Sequence, residues 1–273
     1  MTYLREDEPL RGIALEVLAG VRRVIAPNPG PMTYHGTNTY LIETQEGLVV
    51  LDPGPADDNH IHAVADACGE VAAAIVLSHG HYDHCAGASA LQAKLGVPIF
   101  GHSRFRSSVA NIDNALDEGD VVCGLRVLFT PGHAPDHICL ELEDGVVFTG
   151  DHVMAWSSSV VPYPTGDMSA FIASLQRLAD RNDTLYLCGH GPLLPSPSGF
   201  VQRLIDNRLR RETAILEAVR GGMGTAEAIS ERLYRKRGTH LRKAAEHNVR
   251  SHLEKLLREG LLELRDGHTL VAA

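Results

Sequence analysis

Four apolar segments of this chain each end on a histidine or an aspartate, and this repeated pattern is the strongest constraint on its fold. The segments read VAAAIVLSH, LRVLFTPGH, GVVFTGD and TLYLCGH. Short apolar runs bounded by Gly and Pro are typical of buried strands. A strand end is rigid while the loop beyond it is free to vary, so sites are often built there. We therefore expect one site that contains His79, His133, Asp151 and His190.

The order of the predicted elements indicates mixed sheets. TNTYLIET and LVVLDPG flank a Gly turn, and HICLELEDGVVFTGD turns about Asp144-Gly145, so both regions are predicted hairpins. HIHAVADACG, GDMSAFIASLQRLAD and DHCAGASALQAKLG have helical spacing, the last with Asp83 as its expected cap. Hairpins combined with crossovers give mixed rather than parallel sheets. The predicted fold class is α/β (α+β), with two mixed β-sheets packed face to face and helices outside.

The last quarter of the chain differs in charge from the rest. Residues 206–273 hold 14 Lys and Arg against 10 Asp and Glu, a net charge of +4. Since the whole chain has a net charge of −9, residues 1–205 carry −13. Three helical segments there are followed by LLELRDGHTLVAA, a predicted hairpin about Arg265-Asp266-Gly267. We expect a catalytic domain over residues 1–205 and a small C-terminal winged-helix-like domain over residues 206–273. The acidic body disfavours broad nucleic-acid binding, whereas the basic tail permits a local contact.

The segment HGHYDH, residues 79–84, concentrates potential metal ligands. His79 and His81 alternate along an extended segment, so both can face one side, and Asp83 and His84 fall where the chain turns into a helix. Imidazole and carboxylate groups suit zinc, iron or manganese. Because structural zinc sites are usually closed and rich in cysteine, this cluster without cysteine predicts a catalytic site with open positions.

The cluster and the later strand ends together supply more ligands than one ion can use. A tetrahedral ion takes four, whereas two ions that share a carboxylate can use seven. The candidates, five histidines and two aspartates, are His79, His81, Asp83, His84, His133, Asp151 and His190.

This ordered series resembles the metallo-β-lactamase superfamily, whose mark is HxHxDH followed by His, Asp and His. The resemblance covers about residues 20–205 and implies an αββα sandwich of two mixed β-sheets flanked by helices. The implied ligands are His79, His81 and His133 for the first metal, Asp83, His84 and His190 for the second, and Asp151 as the bridge.

The predicted mechanism is metal-dependent hydrolysis. Two ions roughly 3.5–4 Å apart lower the pKa of a water between them towards about 7, and the resulting bridging hydroxide is the expected nucleophile. We expect two divalent ions, zinc first, with manganese or iron as alternatives because both accept this ligand set. Asp83 is the predicted catalytic residue, since it could accept or relay a proton besides binding metal. Asp52 and Thr149 are expected to orient the ligands from behind.

Asp151 and His81 indicate which functional group of the superfamily the chain resembles. Its true β-lactamases usually have Cys or Ser in place of the bridging aspartate, and its diiron redox members usually have Glu at the position of His81. The resemblance therefore favours the hydrolytic members: glyoxalase II-like thioesterases, phosphodiesterases and RNA-processing enzymes. The flanks NPGPMTYHGTNTYLI and TPGHAPDHICLELED resemble the beta-lactamase-like branch that includes an endoribonuclease and carries a C-terminal winged-helix-like domain.

Four residues are candidates for substrate contact. His35 and Asn38 lie in YHGTNTY, a loop that could overhang the metals. Trp156 and Tyr163 belong to HVMAWSSSVVPYP, a segment expected to line the substrate cleft. An aromatic ring there could stack on a base or cover an apolar substrate, and packing inside the protein is the alternative for Trp156.

Two substrate classes and one non-enzymatic function stay open. An RNA phosphodiester fits the branch resemblance and the basic tail, whereas a small ester or thioester fits the acidic body. The alternative is a winged-helix nucleic-acid-binding regulator whose metal domain senses ions. No apolar run reaches the roughly 18 residues of a membrane-spanning helix, and the N-terminus MTYLREDEPL is charged. We expect a cytoplasmic protein without a membrane partner, for which a homo-oligomer is an open option.

Overall fold

The structure is a computed structural model that describes residues 2–235, 239–265 and 269–273, with the side chains of residues 239 and 240 left out. The chain forms two compact units. The first unit contains Met1–Thr130, Asp136–Ser158 and Asn182–Pro197. The second contains Pro131–Pro135, Ser159–Arg181 and Ser198–Ala273.

Two sheets form the first unit. The strands of the first sheet are β1 Leu15–Leu18, β2 Val21–Ile25, β3 Asn38–Thr44, β4 Gly47–Leu51, β5 Ala72–Val76, β6 Ile99–His102 and β7 Asn114–Leu116. Those of the second are β8 Val121–Val122, β9 Leu125–Phe129, β10 Ile138–Leu142, β11 Val146–Gly150, β12 Leu185–Cys188 and β13 Leu194–Pro195.

Both sheets are mixed. The first runs in the order β1 to β7; its first four strands pair antiparallel, and β4 to β7 pair parallel. The second has the order β13-β12-β11-β10-β9-β8 and only the β11–β12 pair is parallel among its described pairs. The two predicted hairpins are present as β3–β4 and β10–β11. The predicted fold class is confirmed.

The core of the first unit lies between these sheets. Alternate residues of β3 and β4, such as Tyr40, Ile42 and Val49, share one apolar cluster with Leu140 and Phe148 of the second sheet. The other face of the first sheet is covered by three helices: α1 Asp58–Cys68, α2 Tyr82–Cys85 and α3 Ala88–Leu95. Successive side chains of these strands point to opposite faces of the first sheet. They therefore fill one apolar layer between the two sheets and a second layer beneath the helices.

The segment after the HGHYDH motif is not one helix with Asp83 as its cap. Asp83 lies inside the first turn of the short helix α2, which has His81 at its N-cap, and α3 begins separately after Gly87. The backbone N–H of Gly87 donates to the carbonyl of Gly54 at 2.9 Å. A Cβ at position 87 would lie 3.0 Å from the carbonyl oxygen of Pro53. This close approach of two backbone segments separates α2 from α3. Asp83 therefore lies within α2 and does not cap a longer helix.

The second unit contains four helices in its described part. They are α4 Met168–Ala179, α5 Ser198–Arg220, α6 Ala226–Tyr234 and α7 Thr239–Arg258. An antiparallel pair, β14 Leu262–Arg265 and β15 Thr269–Ala272, follows. Ile215, Ile229, Val249 and Leu256 form its apolar core with the strand residue Leu262.

The helix–helix–hairpin order is the one predicted for a winged-helix-like domain. Part of the predicted hairpin turn, at residues 266–267, lies outside the described residues. The boundary between residues 205 and 206 stays a prediction, and α5 runs through that point as one helix. Within the described part of the chain, every helix is too short or too polar to cross a lipid bilayer.

Candidate metal centre

Three strands of the first unit deliver polar side chains to one place. Strand β5 leads to His79, β11 leads to Asp151, and β12 leads through Gly189 to His190. The short helix α2 adds Asp83 and His84. All of these side chains except that of Asp83 are largely buried, so their positions are fixed by the sheets behind them.

Asp83, His84 and His190 form one group whose ligand atoms all lie within 4.8 Å of one another. The Nε2 atom of His190 is 3.3 Å from Asp83 Oδ2 and 3.3 Å from Asp151 Oδ1. The Nε2 atom of His84 is 3.4 Å from the same Asp151 oxygen. One Asp151 oxygen therefore faces two imidazoles that the sequence assigned to the second metal.

A second group surrounds His79. His79, His84 and Asp151 also bring their ligand atoms within 4.8 Å of one another, and His79 Nε2 lies 3.0 Å from His81 Nδ1. The imidazole of His79 therefore lies close to both Asp151 and His81. The structure brings together six of the seven predicted ligands in the first unit; the seventh, His133, belongs to the second unit.

The ring nitrogen that each histidine turns away from this centre has its own partner. His84 Nδ1 lies 2.8 Å from Asp52 Oδ2, His79 Nδ1 lies 2.9 Å from Ser78 Oγ, and His190 Nδ1 lies 3.2 Å from the Gly36 carbonyl. An N–H that donates outward leaves the other nitrogen with its lone pair directed inward. The three imidazoles are thus oriented as metal ligands are.

Asp52 ties two of these ligands to one carboxylate. Besides its contact with His84, it accepts the Ser78 backbone N–H at Oδ1 and the Ser78 hydroxyl at Oδ2, both at 2.7 Å. Because that hydroxyl donates to Asp52, its oxygen accepts from His79 Nδ1–H. Asp52 adopts a positive φ of 52°, a region in which Asp is more tolerated than most residues. The predicted orienting role of Asp52 has this geometry in its support.

The charges of the centre are strongly coupled. Burial opposes charge on His84 and His190, but the carboxylates of Asp151, Asp52 and Asp83 outweigh it: the pKa of His84 is raised well above its usual value, and that of His190 to about 9. Burial would likewise raise the pKa of Asp83 and of Asp151, yet the neighbouring imidazoles hold both well below their usual value. The two carboxylates stay ionised and require positive charge beside them, which bound cations also supply.

Other residues behind the centre fix Asp151. The backbone N–H of Asp151 donates to His137 Nε2 at 3.1 Å, and His137 Nδ1 lies 2.9 Å from Thr130 Oγ1. The predicted orienting residue Thr149 donates its hydroxyl to the Val153 carbonyl at 2.9 Å and so closes the turn that carries Asp151. Sequence reasoning did not single out Ser78 or Thr130. Ser78 carried a usable signal, since it is a polar residue inside an apolar run and directly precedes His79.

The loop candidates for substrate contact, His35 and Asn38, differ in accessibility. His35 is half-buried, and its Nε2 lies 3.3 Å from the Glu6 carbonyl. Asn38 is 1% exposed, and its amide donates to the carbonyls of Cys188 and Gly191 at 2.9 Å. Asn38 therefore fastens the turn around His190, and its contact with a substrate stays a prediction.

The two aromatic candidates lie in different units. Trp156 belongs to the first unit, is 9% exposed and stacks on Tyr34 with ring centroids 4.9 Å apart. A Cβ added to Gly191 would come within 2.5 Å of its indole ring, so Trp156 packs directly beside the turn that carries His190. Tyr163 belongs to the second unit and is 39% exposed. The roles of both in substrate binding stay predictions.

Comparison with known families accounts for most of this chain. The model of the metallo-beta-lactamase superfamily matches residues 32–118 and 104–190. The chain belongs to the metallo-beta-lactamase superfamily. The members of this superfamily are metal-dependent hydrolases, so the predicted enzyme class is confirmed. A second model, the beta-lactamase associated winged helix domain, matches residues 225–266 and confirms the predicted winged helix.

Individual relatives agree with the superfamily. The chain is 30% identical over 277 residues to the "Beta-lactamase-like protein 2 homolog" of Caenorhabditis elegans, which spans 96% of this chain and 91% of the relative. It is 27% identical over 212 residues to the "Atrochrysone carboxyl ACP thioesterase" of Claviceps purpurea (strain 20.1), covering 75% of this chain and 66% of the relative. A beta-lactamase domain protein from Burkholderia ambifaria has the same fold, with a TM-score of 0.83 at 22% identity over 97% of this chain and 95% of its own.

Proposed function

We propose that this metallo-beta-lactamase family hydrolase works with two divalent ions, zinc first, held by seven side chains. The observation that carries the proposal is the position of Asp151, whose Oδ1 lies 3.3–3.4 Å from the inward nitrogens of both His84 and His190. A carboxylate among converging imidazoles is a ligand set suited to zinc, manganese or iron. The proposed ligands are His79, His81 and His133 for one ion, Asp83, His84 and His190 for the other, and Asp151 for both.

Each residue would contribute a separate physical effect. Two bound ions would activate water and polarise the substrate oxygen. Asp52, through Ser78 and His84, keeps two imidazoles turned inward. Asp83 has a side chain 30% exposed, which makes it the most accessible carboxylate of the cluster. Asp83 is therefore proposed to accept a proton during hydrolysis and pass it to solvent.

A small ester or thioester is the proposed substrate class. Two relatives, at 27% and 31% identity, are named as acyl carrier protein thioesterases. The net charge of −13 on residues 1–205 also disfavours a polyanionic substrate at the predicted catalytic domain. An RNA phosphodiester is the second candidate, because residues 206–273 carry a net +4 and include a winged-helix domain. We also propose a cytoplasmic location, and a homo-oligomer remains an option.

A substrate panel with the zinc-loaded full chain tests the proposal. The panel contains an acyl thioester with thiol detection, a generic phosphodiester, a single-stranded RNA and a β-lactam. We expect thioester hydrolysis that falls at least about 100-fold in Asp83→Ala and in His81→Ala. His62→Ala and Asp58→Ala, both exposed on α1, serve as matched controls and should retain full activity.

The outcomes distinguish the candidates. Thioesterase activity that survives both ligand substitutions would exclude the metal mechanism. Cleavage of RNA alone, with the same loss in both variants, would select the phosphodiester substrate. No hydrolysis of any substrate, together with metal-dependent binding to a nucleic acid, would favour the winged-helix regulator. Elemental analysis of the purified chain identifies the metal and its stoichiometry.

A further inference from the structure

The loop that carries His133 is fastened to helix α4. The hydroxyl of Ser174 donates to the Pro131 carbonyl at 2.9 Å, and the backbone N–H of Asp167 donates to the Gly132 carbonyl at 2.8 Å. Gly132 has a φ of 137°, and a Cβ there would lie 2.3 Å from the backbone of Phe171. Only glycine lets the loop approach the helix this closely. The backbone of His133 is therefore set by the second unit.

A backbone carbonyl of the second unit contacts the side chain of His133. Its Nδ1 lies 2.6 Å from the carbonyl oxygen of Val160, and the imidazole is 6% exposed. A carbonyl only accepts, so Nδ1 carries the proton and Nε2 keeps its lone pair. The contact with Val160 thus fixes the tautomer of His133 and contributes to the direction of its Nε2.

Val160 lies between two residues that helices α5 and α7 hold. From α5, the guanidinium of Arg208 donates to the Ser159 carbonyl. From α7, Asn248 Oδ1 accepts the Val161 backbone N–H at 3.0 Å, and Ser251 Oγ donates to the Val161 carbonyl at 2.8 Å. Both neighbours of Val160 are therefore tied through their backbones.

The two helices also share this network. The Arg208 guanidinium donates to Asn248 Oδ1 at 3.0 Å and lies over the Phe171 ring, 5.1 Å from its centroid. Arg208 is 7% exposed and Ser251 is 1% exposed. Buried polar groups are costly to leave without partners, so the arrangement has little freedom to shift. A chain of hydrogen bonds leads from α5 and α7 through Val160 to His133.

We propose that helices α5 and α7 position His133 as a metal ligand, with Arg208, Asn248 and Ser251 as the positioning residues. The inference rests on the proposed function, in which His133 binds the first metal. Asn248 and Ser251 lie within residues 225–266, the region of the winged-helix family model. The winged-helix region would thus position a candidate metal ligand of its own unit, a role that requires no nucleic acid.

Metal binding by the full chain tests the inference through Asn248. Metal-free protein is titrated with Co²⁺, and the absorption spectrum reports the number of bound ions, their affinity and their coordination. Asn248→Leu removes the oxygen that holds Val161, so we expect one of two ions to bind about 10–100-fold more weakly, with a changed spectrum, while the other binds as in the wild type. Asn248→Asp keeps an oxygen for Val161 N–H and should restore the affinity.

Two further variants keep the test decisive. Arg250→Ala removes a half-exposed side chain of the same helix and should bind both ions as the wild type does. If Asn248→Leu does not fold, Ser251→Ala removes the donor to the Val161 carbonyl and should weaken the same ion in the same way. A folded Asn248→Leu, or in its place Ser251→Ala, that binds both ions with wild-type affinity would overturn the inference. A wild-type chain that does not bind two ions would instead refute the proposed function.

Discussion

Asp52 lies directly behind the candidate metal ligand His84, with 2.8 Å between its Oδ2 and Nδ1 of the imidazole. Both side chains are buried, and the same carboxylate accepts two hydrogen bonds from Ser78. A carboxylate behind a ligating imidazole fixes its tautomer and raises its basicity. Asp52 should therefore control metal affinity without touching a metal.

Asp52→Asn should weaken metal binding about 10–100-fold, the usual cost of losing such a partner. Asn tolerates the positive φ of this position, but it is neutral and offers only one acceptor to His84 and the two Ser78 donors. The measurement is a Zn²⁺ titration in competition with a chromophoric chelator.

Asp57→Asn is the matched control for this change. Asp57 caps α1 by accepting the backbone N–H of His60 at 2.9 Å, and Asn caps a helix nearly as well. This variant should bind Zn²⁺ as the wild type does. Equal affinities for Asp52→Asn and the wild type would show that Asp52 has only a structural role.

His60 should make the stability of the first unit depend on pH. Burial lowers its pKa to about 4, against a smaller opposite effect of Asp57. Its Nε2 lies 2.9 Å from Thr39 Oγ1, whose hydroxyl donates to the Asp52 carbonyl, so His60 donates Nε2–H as a neutral ring. Because the unfolded chain takes up this proton near pH 6.5 and the folded chain does not, stability is present above pH 6.5 and is lost as the pH falls towards 4.

Denaturant unfolding at pH 7 and pH 4.5 measures this effect. Between these pH values the wild type should lose about 2–3 kcal/mol more stability than His60→Gln, by the usual conversion of a pKa shift. His62→Gln, which removes an exposed histidine from the same helix, should lose as much as the wild type. An identical loss in all three proteins would refute the assignment of His60.

The residues of the centre that could be predicted are those marked by a short sequence pattern, either an apolar run or the spacing of a motif. His79 and Asp151 follow apolar runs that form strands β5 and β11, and the strands place both residues at the centre. The HGHYDH spacing works for the same reason, because two alternating residues of an extended segment face one side. These features need no knowledge of distant contacts.

The parts that the sequence missed depend on contacts between distant segments. The expected cap Asp83 lies inside α2 because the backbone of Gly54, far away in sequence, takes the hydrogen bond of Gly87. The amide of Asn38 donates to two carbonyls of the segment 188–191, a pairing that its local sequence does not indicate. The link from His133 to Asn248 spans more than a hundred residues and leaves no periodic trace. Local propensity cannot report such pairings.

Gly189→Ala should damage the metal centre without removing a ligand. A Cβ at this position would lie 2.9 Å from Asp151 Oδ1 and 2.9 Å from His84 Cε1. The imidazole of His84 is held by Asp52, and the backbone of Asp151 is held by His137, so neither residue can move away without disturbing a hydrogen bond. We expect metal binding about 10-fold weaker or worse and a loss of about 1–3 kcal/mol in the free energy of unfolding.

Gly199→Ala is the control for the added methyl group. Its Cβ would meet only the flexible end of Arg203, at 3.5 Å, and the residue lies within α5. This change should leave Zn²⁺ affinity unchanged when it is compared with Gly189→Ala in the same titration. Metal affinity preserved in Gly189→Ala would mean that the sheets yield more readily than the contacts indicate.

Glu212 should be a main stabilising charge of the second unit. Its Oε2 lies 3.0 Å from Nδ1 of the fully buried His252, and its Oε1 lies 2.7 Å from Lys255 Nζ. Lys255 is 9% exposed and also contacts Glu259 at 2.9 Å. Removing one partner of a buried ion pair leaves the other uncompensated, which costs far more than an exposed pair contributes.

Glu212→Leu should therefore lower the free energy of unfolding by about 2–4 kcal/mol, since Lys255 keeps Glu259 but His252 loses its acceptor. Glu246→Leu is the matched control: it removes one of two carboxylates that contact the half-exposed Arg250, which keeps Glu227, and should cost at most about 1 kcal/mol. Urea unfolding followed by far-UV circular dichroism measures both. Equal costs for the two variants would show that water reaches the Glu212 cluster, and that its ion pairs are worth no more than those on the surface.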